Sequence, residues 1–320
     1  MARYITYRLL LLLPVLVGIS VVVFSLIQLI PGDVVDVLLG IQTSPEAAIA
    51  LRRLFGLDQP VHVQFAKWAS SLLRGDLGLS LRTGLPVSYL LATRLVVTAE
   101  LTGLGLFLAA IIGIPLGVIA SFKQNTAADY IASSAALIGL SMPDFWIGTL
   151  LVLLLSIKAG WLPPTGYIPF STDPMGNLKL MFMPAITLAG GSASYIMRMT
   201  RSAMLEVLSK DYIRTANAKG LRRRQVVFTH AFRNALVPVM AIVGQQMAYL
   251  LGGVVVVESI FAIPGIGRTA LESIYYRDYP VVMGVVLFVA FAYVVINVLV
   301  DLLSALVDIR IRERIVSPGR

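Results

Sequence analysis

Six stretches of the chain are apolar for long enough to cross a lipid bilayer as helices. A bilayer core about 30 Å thick needs about 20 largely apolar residues, because lipid offers no partner for exposed backbone groups. The fourth stretch is the weakest, being short and rich in small residues. The pattern predicts an all-α membrane protein with six transmembrane helices. The predicted spans run approximately from Leu9 to Ile30, Val96 to Ser121, Ile131 to Ile157, Met181 to Met197, Ala235 to Val257 and Val281 to Val300.

Composition supports a membrane protein and excludes several classes of site. Of the 320 residues, 58% are hydrophobic and 13% are charged, against roughly 45–50% and about 25% in soluble domains. So apolar a chain does not stay disordered in water. There is no cysteine, which excludes disulfide scaffolds, thiolate zinc sites and cysteine nucleophiles. The 2 histidines are too few for a histidine-rich metal cage.

The basic residues predict which side of the membrane each connection faces. Of the 26 Lys and Arg, 16 lie in one alternating set of segments and 10 in the other, longer set. The denser set is cytoplasmic by the positive-inside rule, so both termini are expected inside. The first apolar run is followed by no small-residue cleavage site, so we interpret it as a retained helix. The cytoplasmic set is 1–8, 122–130, 197–235 and 308–320, and the external set is 31–95, 158–180 and 258–280.

The external segment between the first two spans is expected to contain amphipathic helices. Pro45 suits a first helical position and Gly56 a helix end, while Phe65 and Trp68 share one side of a second helix from Val61 to Leu73. These helices either lie on the outer face of the bundle or dock a partner. The predicted organisation is a first transmembrane helix (1–30), this external segment (31–95), a five-helix membrane core (96–307) and a cytoplasmic tail (308–320).

A cytoplasmic loop, residues 198–234, is the most basic part of the chain and contains 9 of the 26 Lys and Arg. Asp211 suits an N-cap and Gly220 a left-handed stop, so the loop is expected to contain a helix of about two turns. Helices this short are marginal in water, so this one needs a surface to pack against, which another protein could provide. The run Arg222-Arg223-Arg224 is typical of a topology signal attracted to anionic lipid, and we expect no nucleic-acid binding from a chain with six spans.

This loop resembles the EAA loop of ABC importer permeases, in the dipeptide, oligopeptide and nickel branch. It reads Asp211-Tyr-Ile-Arg-Thr-Ala-Asn-Ala-Lys219-Gly220-Leu221, with Arg214-Thr215-Ala216 where the broad pattern has Glu-Ala-Ala. Peptide permeases commonly have such a string. The resemblance implies that the helix couples to an ATPase subunit through Asp211, Tyr212, Arg214, Thr215, Ala216, Ala218, Lys219 and Gly220. Similar strings occur in family order at Pro31-Gly32-Asp33, Leu57-Asp58-Gln59-Pro60, Gly75-Asp76-Leu77-Gly78, Gly160-Trp161-Leu162-Pro163, Pro264-Gly265-Ile266-Gly267 and Arg277-Asp278-Tyr279-Pro280.

The resemblance implies a multi-pass subunit of a bacterial or archaeal cytoplasmic membrane. A second homologous permease would complete the pore, two ATPases would bind beneath it, and an external binding protein would deliver dipeptides or short oligopeptides. Nickel chelates, glutathione and oligosaccharides are alternative cargoes of similar permeases. The chain has no Gly-Lys dipeptide, hence no usual P-loop. We therefore expect no enzyme and no cofactor in this chain, with ATP and Mg in the partner ATPases.

Candidate pathway residues are polar side chains inside the predicted spans, where such groups are costly. Gln245, Gln246 and Tyr249 could line a conduit for a peptide-like solute or form interhelical hydrogen bonds. Asp144 follows Pro143, so it either satisfies backbone donors freed at a kink or faces the pathway.

Other residues in the spans have mainly structural interpretations. Glu258 and Asp301 lie near span ends, where water or headgroups are expected to reach them, and each is interpreted as a structural cap or ion pair, with a functional role as the alternative. Gly113 and Gly117 predict close helix packing. Ser192, Ser194 and Tyr195 could serve the pathway or packing.

Two other functional classes are alternatives to the coupled permease. A self-sufficient channel or secondary transporter would carry coupling charges at mid-membrane and need no cytoplasmic lever. An intramembrane protease is disfavoured, since the chain has no His-Glu-x-x-His and no Gly-x-Gly-Asp motif.

Overall fold

The computed structural model describes residues 2–29, 35 and 45–307, with side chains for 14–29, 35, 45–300 and 302. Within these residues the regular secondary structure is helical, apart from one isolated antiparallel bridge between Leu79 and Pro86. The helices are α1 (Ala2–Gln28), α2 (Pro45–Phe55), α3 (Val61–Leu73), α4 (Val87–Phe122), α5 (Ala127–Ser141), α6 (Asp144–Lys158), α7 (Pro174–Leu208), α8 (Asp211–Ala218), α9 (Arg223–Ile260), α10 (Ile266–Tyr275) and α11 (Tyr279–Val307).

Four helices of the described part are long and apolar enough to span a membrane: α4, α7, α9 and α11. They contain the second, fourth, fifth and sixth predicted spans. Although the fourth has the lowest mean hydropathy of these, 1.4, its apolar window is 72% buried. Its small residues therefore serve packing against neighbouring helices.

The third predicted span is not one straight helix. It consists of α5 and α6, which meet at a bend of 98°. Pro143 has no N–H to continue a helical ladder, and its ring excludes the helical region for the preceding residue. Met142 is accordingly extended, with φ −82° and ψ 124°. The Met142-Pro143 dipeptide thus explains why the helix breaks here. It does not explain the size of the bend.

The first predicted span, Leu9 to Ile30, overlaps α1, which begins seven residues earlier and whose apolar stretch among described side chains is Pro14–Gln28. Ile30 and the tail from residue 308 lie outside the described residues. A total of six spans, with both termini inside, therefore stays a prediction.

One compact unit comprises Thr98–Ile263 and the last helix from Tyr293 on. Glycines let α4 and α7 approach closely inside it. A Cβ added at Gly113 would lie 2.6 Å from the carbonyl oxygen of Ala193, and one at Gly117 would lie 2.6 Å from that of Met197. Cβ atoms are not tolerated at such distances, so the predicted packing role of both glycines is confirmed.

An ion pair in the same unit joins α5 to α7. Arg201 donates from Nε to Asp129 Oδ1 at 2.6 Å and from a terminal nitrogen to Oδ2 at 2.8 Å. The backbone N–H of Asn125 also donates to Asp129, at 3.0 Å. The Asp129 side chain is 3% exposed, so its charge depends on these partners.

The second unit comprises Leu9–Val97 and Pro264–Ala292. In it α3 packs on α1, with the ring of Phe24 5.2 Å from Phe65 and 5.8 Å from Trp68, centroid to centroid. The predicted bounds of α2 and α3 are confirmed. Pro45 begins α2, and Gly56 follows it with φ +68°. The packing on α1 favours, for α3, a helix that lies against a membrane helix over one that docks a partner; the outer-face location itself stays a prediction.

Candidate functional site

A cavity of about 650 Å³ opens where α5 and α6 meet at the break. The break exposes the start of α6, and α7 and α9 supply the facing walls. Asp144, Gln245, Gln246 and Tyr249, all four predicted pathway residues, line this one cavity. The other lining residues are Gly139, Leu140, Ser141, Met142, Pro143, Leu188, Gly191, Ser192, Tyr195, Leu250 and Tyr293.

Helical spacing explains how α7 and α9 each present several polar groups. Gln245 and Tyr249 are four residues apart and so lie on one face of α9. Ser192 and Tyr195 are likewise three apart on α7, and both line the cavity. Ser194 does not line the cavity, and its hydroxyl donates to the carbonyl oxygen of Gly190 at 2.9 Å. The sequence could not decide between pathway and packing for Ser192, Ser194 and Tyr195. In the structure Ser192 and Tyr195 line the cavity, and Ser194 does not.

Asp144 is the first residue of α6 and is half-buried. No described residue donates a hydrogen bond to its carboxylate or forms an ion pair with it. In the described residues its carboxylate therefore does not satisfy backbone donors at the break. Its placement at the cavity is the one the pathway interpretation requires.

Sequence reasoning missed Ser141 and Tyr293 as lining residues. The sequence could have indicated Tyr293, since a hydroxyl inside an apolar stretch needs a polar partner. Nothing in the sequence indicated Ser141, because this residue reaches the cavity only as a result of the bend between α5 and α6.

The predicted cytoplasmic helix is α8, Asp211–Ala218, which ends as the sequence indicates. Gly220 has φ +77°. Its N–H donates to the carbonyl oxygen of Asn217 at 3.0 Å, and the N–H of Leu221 donates to that of Ala216 at 3.4 Å. These two bonds form a Schellman motif, which requires a left-handed residue at the glycine position.

The start of α8 differs from the prediction by one residue. Lys210 occupies the N-cap position and Asp211 lies in the first turn. There the Asp211 carboxylate accepts from Arg214 at 3.3 Å, with both side chains exposed. Asp211 still places negative charge at the positive end of the helix dipole, but it is not the cap.

One side of α8 packs against the chain itself. Ile213 is 2% exposed and Ala216 is 8% exposed. They join a buried apolar cluster completed by Val118, Met204, Val226, Val227, Ala231 and Ala235. Ala216, one of the predicted coupling residues, therefore faces inward, and its assignment to coupling stays a prediction.

The other side of α8 is open. Asp211, Tyr212, Arg214, Thr215 and Ala218 are exposed, as are Lys219 and Gly220 beyond its end. The outward face thus combines charged, hydroxyl and aromatic groups on a helix held from beneath. Within the arginine run, Arg223 stacks over the Phe122 ring at 4.8 Å and donates to its carbonyl oxygen at 3.0 Å. Arg222 and Arg224 are exposed.

Two models of one transport family match the chain. Residues 113–313 match the family described as "Binding-protein-dependent transport system inner membrane component". Residues 1–102 match the corresponding N-terminal family. The chain belongs to this family of ABC importer permeases. The predicted family membership is confirmed, and these proteins are permease subunits rather than ATPases.

Similar permeases span nearly the full length of the chain. A putative peptide transport system permease of Brucella abortus (strain 2308) is 44% identical over 94% of this chain and 96% of its own length. Dipeptide transport system permease proteins DppB are 42% identical in Alkalihalophilus pseudofirmus and 38% identical in Escherichia coli K12, each covering 98% of this chain and 100% of the relative.

A solved structure shares the fold of this permease. The MetNI methionine ABC transporter, in an inward-facing conformation, aligns with a TM-score of 0.57 and 20% identity. The alignment covers 69% of this chain and 97% of that chain.

Two further acids of the permease are held by hydroxyl groups. Thr98 donates to Glu258 at 2.6 Å, and Glu258 is 0% exposed. The expectation that water or headgroups reach Glu258 is therefore wrong. Tyr167 donates to Glu100 at 2.9 Å, and burial together with this carboxylate raises the pKa of Tyr167 to about 12. The Asp301 side chain lies outside the described residues.

Proposed function

We propose that this permease forms half of a translocation pathway for dipeptides or short oligopeptides, driven by partner ATPases. A sister permease completes the pathway, two ATPases carrying ATP and Mg bind at the cytoplasmic face, and an external binding protein delivers the cargo. The membrane is the cytoplasmic membrane of a bacterium or an archaeon. The relatives named as dipeptide permeases support the cargo class.

The observation that carries the proposal is the geometry of α8. The helix is too short to be stable alone, and burial of Ile213 and Ala216 holds it on its own chain. Its charged outer face is left open, and Gly220 stops it sharply. A rigid, surface-mounted helix transmits a push from a docked partner, because packed elements move between discrete arrangements.

The cavity supports the second half of the proposal. It brings hydroxyl, amide and carboxylate groups together beside apolar walls. Such a mixture suits a small polar solute, whose backbone amides find hydrogen-bond partners without a fixed cage. Movement transmitted through α8 to α7 and α9 would then alter the walls of the cavity.

Cysteine scanning tests the docking of α8, since the chain contains no native cysteine. Ala218→Cys lies on the exposed face and Ile213→Cys on the buried face of the same helix. We expect a membrane-impermeant maleimide to label Ala218→Cys in membranes stripped of the ATPases and to be blocked when they are bound. Ile213→Cys controls for burial and stays unlabelled in both.

The exposed Lys123→Cys serves as a positive control for access to the cytoplasmic side. Equal labelling of Ala218→Cys with and without bound ATPases would overturn docking at α8. The cargo is tested separately with proteoliposomes containing both permeases, both ATPases and the binding protein. ATP-dependent uptake of a labelled dipeptide is expected, and uptake that does not depend on ATP would favour a channel or secondary transporter instead.

A further inference from the structure

The cavity at the break carries a single formal charge. Among its described lining residues, Asp144 is the one charged side chain, and the remaining polar groups are hydroxyls and amides. A carboxylate inside a spanning segment is costly unless it has a partner. None of the described side chains or N–H groups supplies one to Asp144. The cavity therefore presents a negative site without an internal counter-charge.

A second polar group at the same wall is also unsatisfied. The hydroxyl of Ser192 is buried and has no hydrogen-bond partner among the described residues, and the residue is 3% exposed. Buried hydroxyls are normally paired, so an unpaired one that lines a cavity indicates a visiting partner. Ser192 adjoins Gly191, at which an added Cβ would lie 4.0 Å from Asp144 Oδ1. The two unsatisfied groups thus belong to neighbouring parts of the wall.

The chemistry of these groups selects a class of ligand. A lone carboxylate attracts a cation and accepts its N–H groups, and charge-assisted bonds are about twice as strong as neutral ones. Ser192, Gln245 and Gln246 are donors and acceptors of the kind that pair with peptide amides. An ammonium group followed by amides is the N-terminal end of a peptide.

We propose that Asp144 receives the N-terminal ammonium group of the peptide in transit, with Ser192 contacting the adjoining amide. This inference rests on the proposed function and names the part of the cargo that the permease itself recognises. One carboxylate in an open cavity gives a weak, transient site, which suits passage because a solute must also leave.

The test compares two cargoes that differ only at the amine. The reconstituted complex is given a dipeptide or its N-acetylated form, each at a concentration that loads the binding protein to the same measured occupancy. For the unmodified complex we expect uptake of the free dipeptide to exceed that of the acetylated form by roughly ten- to hundredfold. This ratio corresponds to the free energy of one hydrogen bond to a charged group. Asp144→Asn should remove this preference, and Asp144→Glu should restore part of it.

Glu100→Gln is the matched control. It neutralises another carboxylate in the membrane region, one that lies outside the cavity and is bonded to Tyr167, so it should leave the preference unchanged. An unaltered preference in Asp144→Asn would overturn the inference. If the unmodified complex takes up neither form, the peptide cargo itself is wrong. Ser192→Ala is a second variant, in which the side chain changes little in size. We expect it to reduce the uptake of both dipeptide forms and to leave their ratio unchanged. A changed ratio would contradict the assignment of the ammonium group to Asp144 and of the amide to Ser192.

Discussion

Replacing Gly220 should uncouple ATP hydrolysis from transport without disturbing the packing beneath α8. Gly220 has φ +77°, and a Cβ added there would meet no atom within 4 Å. The perturbation is therefore one of backbone conformation alone. Holding an ordinary L-residue in the left-handed region costs roughly 1–2 kcal/mol, with asparagine near the lower limit and β-branched valine near the upper.

The chain could avoid this strain by unwinding the end of α8. It would then lose the two bonds that Gly220 and Leu221 donate to Asn217 and Ala216, each worth roughly 0.5–1.5 kcal/mol net. The two bonds together are worth roughly 1–3 kcal/mol, so the less costly route costs roughly 1–2 kcal/mol, which changes a two-state population by a factor of roughly 5–30. We expect peptide transported per ATP hydrolysed to fall by about this factor in Gly220→Val and by less in Gly220→Asn.

The assay measures ATPase rate and uptake together in proteoliposomes. Gly84→Val is the control, because Gly84 also has positive φ, +72°, with no atom within 4 Å of an added Cβ. It carries the same backbone strain in the other unit of the chain and should leave the ratio unchanged. Normal coupling in Gly220→Val, or equal loss in Gly84→Val, would refute the assigned role of the helix end.

Two further predictions concern the packing that supports the site. Gly117→Leu should lower the melting temperature of the purified complex markedly, because overpacking typically costs about 1–3 kcal/mol or more. An added Cβ at Gly117 already lies 2.6 Å from a carbonyl oxygen of α7. Gly103→Ala is the control and should leave the melting temperature unchanged, since a Cβ added there has no atom within 4 Å. Asp129→Asn leaves the Arg201 charge without its partner and should destabilise the complex by roughly 3–5 kcal/mol, whereas adding Arg201→Leu should recover part of the loss. An unchanged melting temperature in Gly117→Leu, or an additive loss in the double variant, would contradict the packing described here.

The sequence by itself determined the local features, because their causes lie within a few residues. Glycine's freedom to adopt positive φ ended α2 at Gly56 and α8 near Gly220. Proline's missing N–H broke the third span at Pro143. The long apolar runs predict α4, α7, α9 and α11 as helices, because in lipid a helix satisfies its own backbone groups. Each of these is readable without knowing what lies opposite.

Only the tertiary structure decided how distant residues meet. Asp129 and Arg201 are 72 positions apart, and nothing in the spacing of either indicates the other. The same holds for Glu258, whose burial depends on the helix packed against it, and for Ala216, whose inward orientation depends on the cluster beneath α8. The cavity formed because a 98° bend carried Asp144 toward α7 and α9. Packing between helices is a property of surfaces that meet in space, and a linear pattern of residues does not contain it.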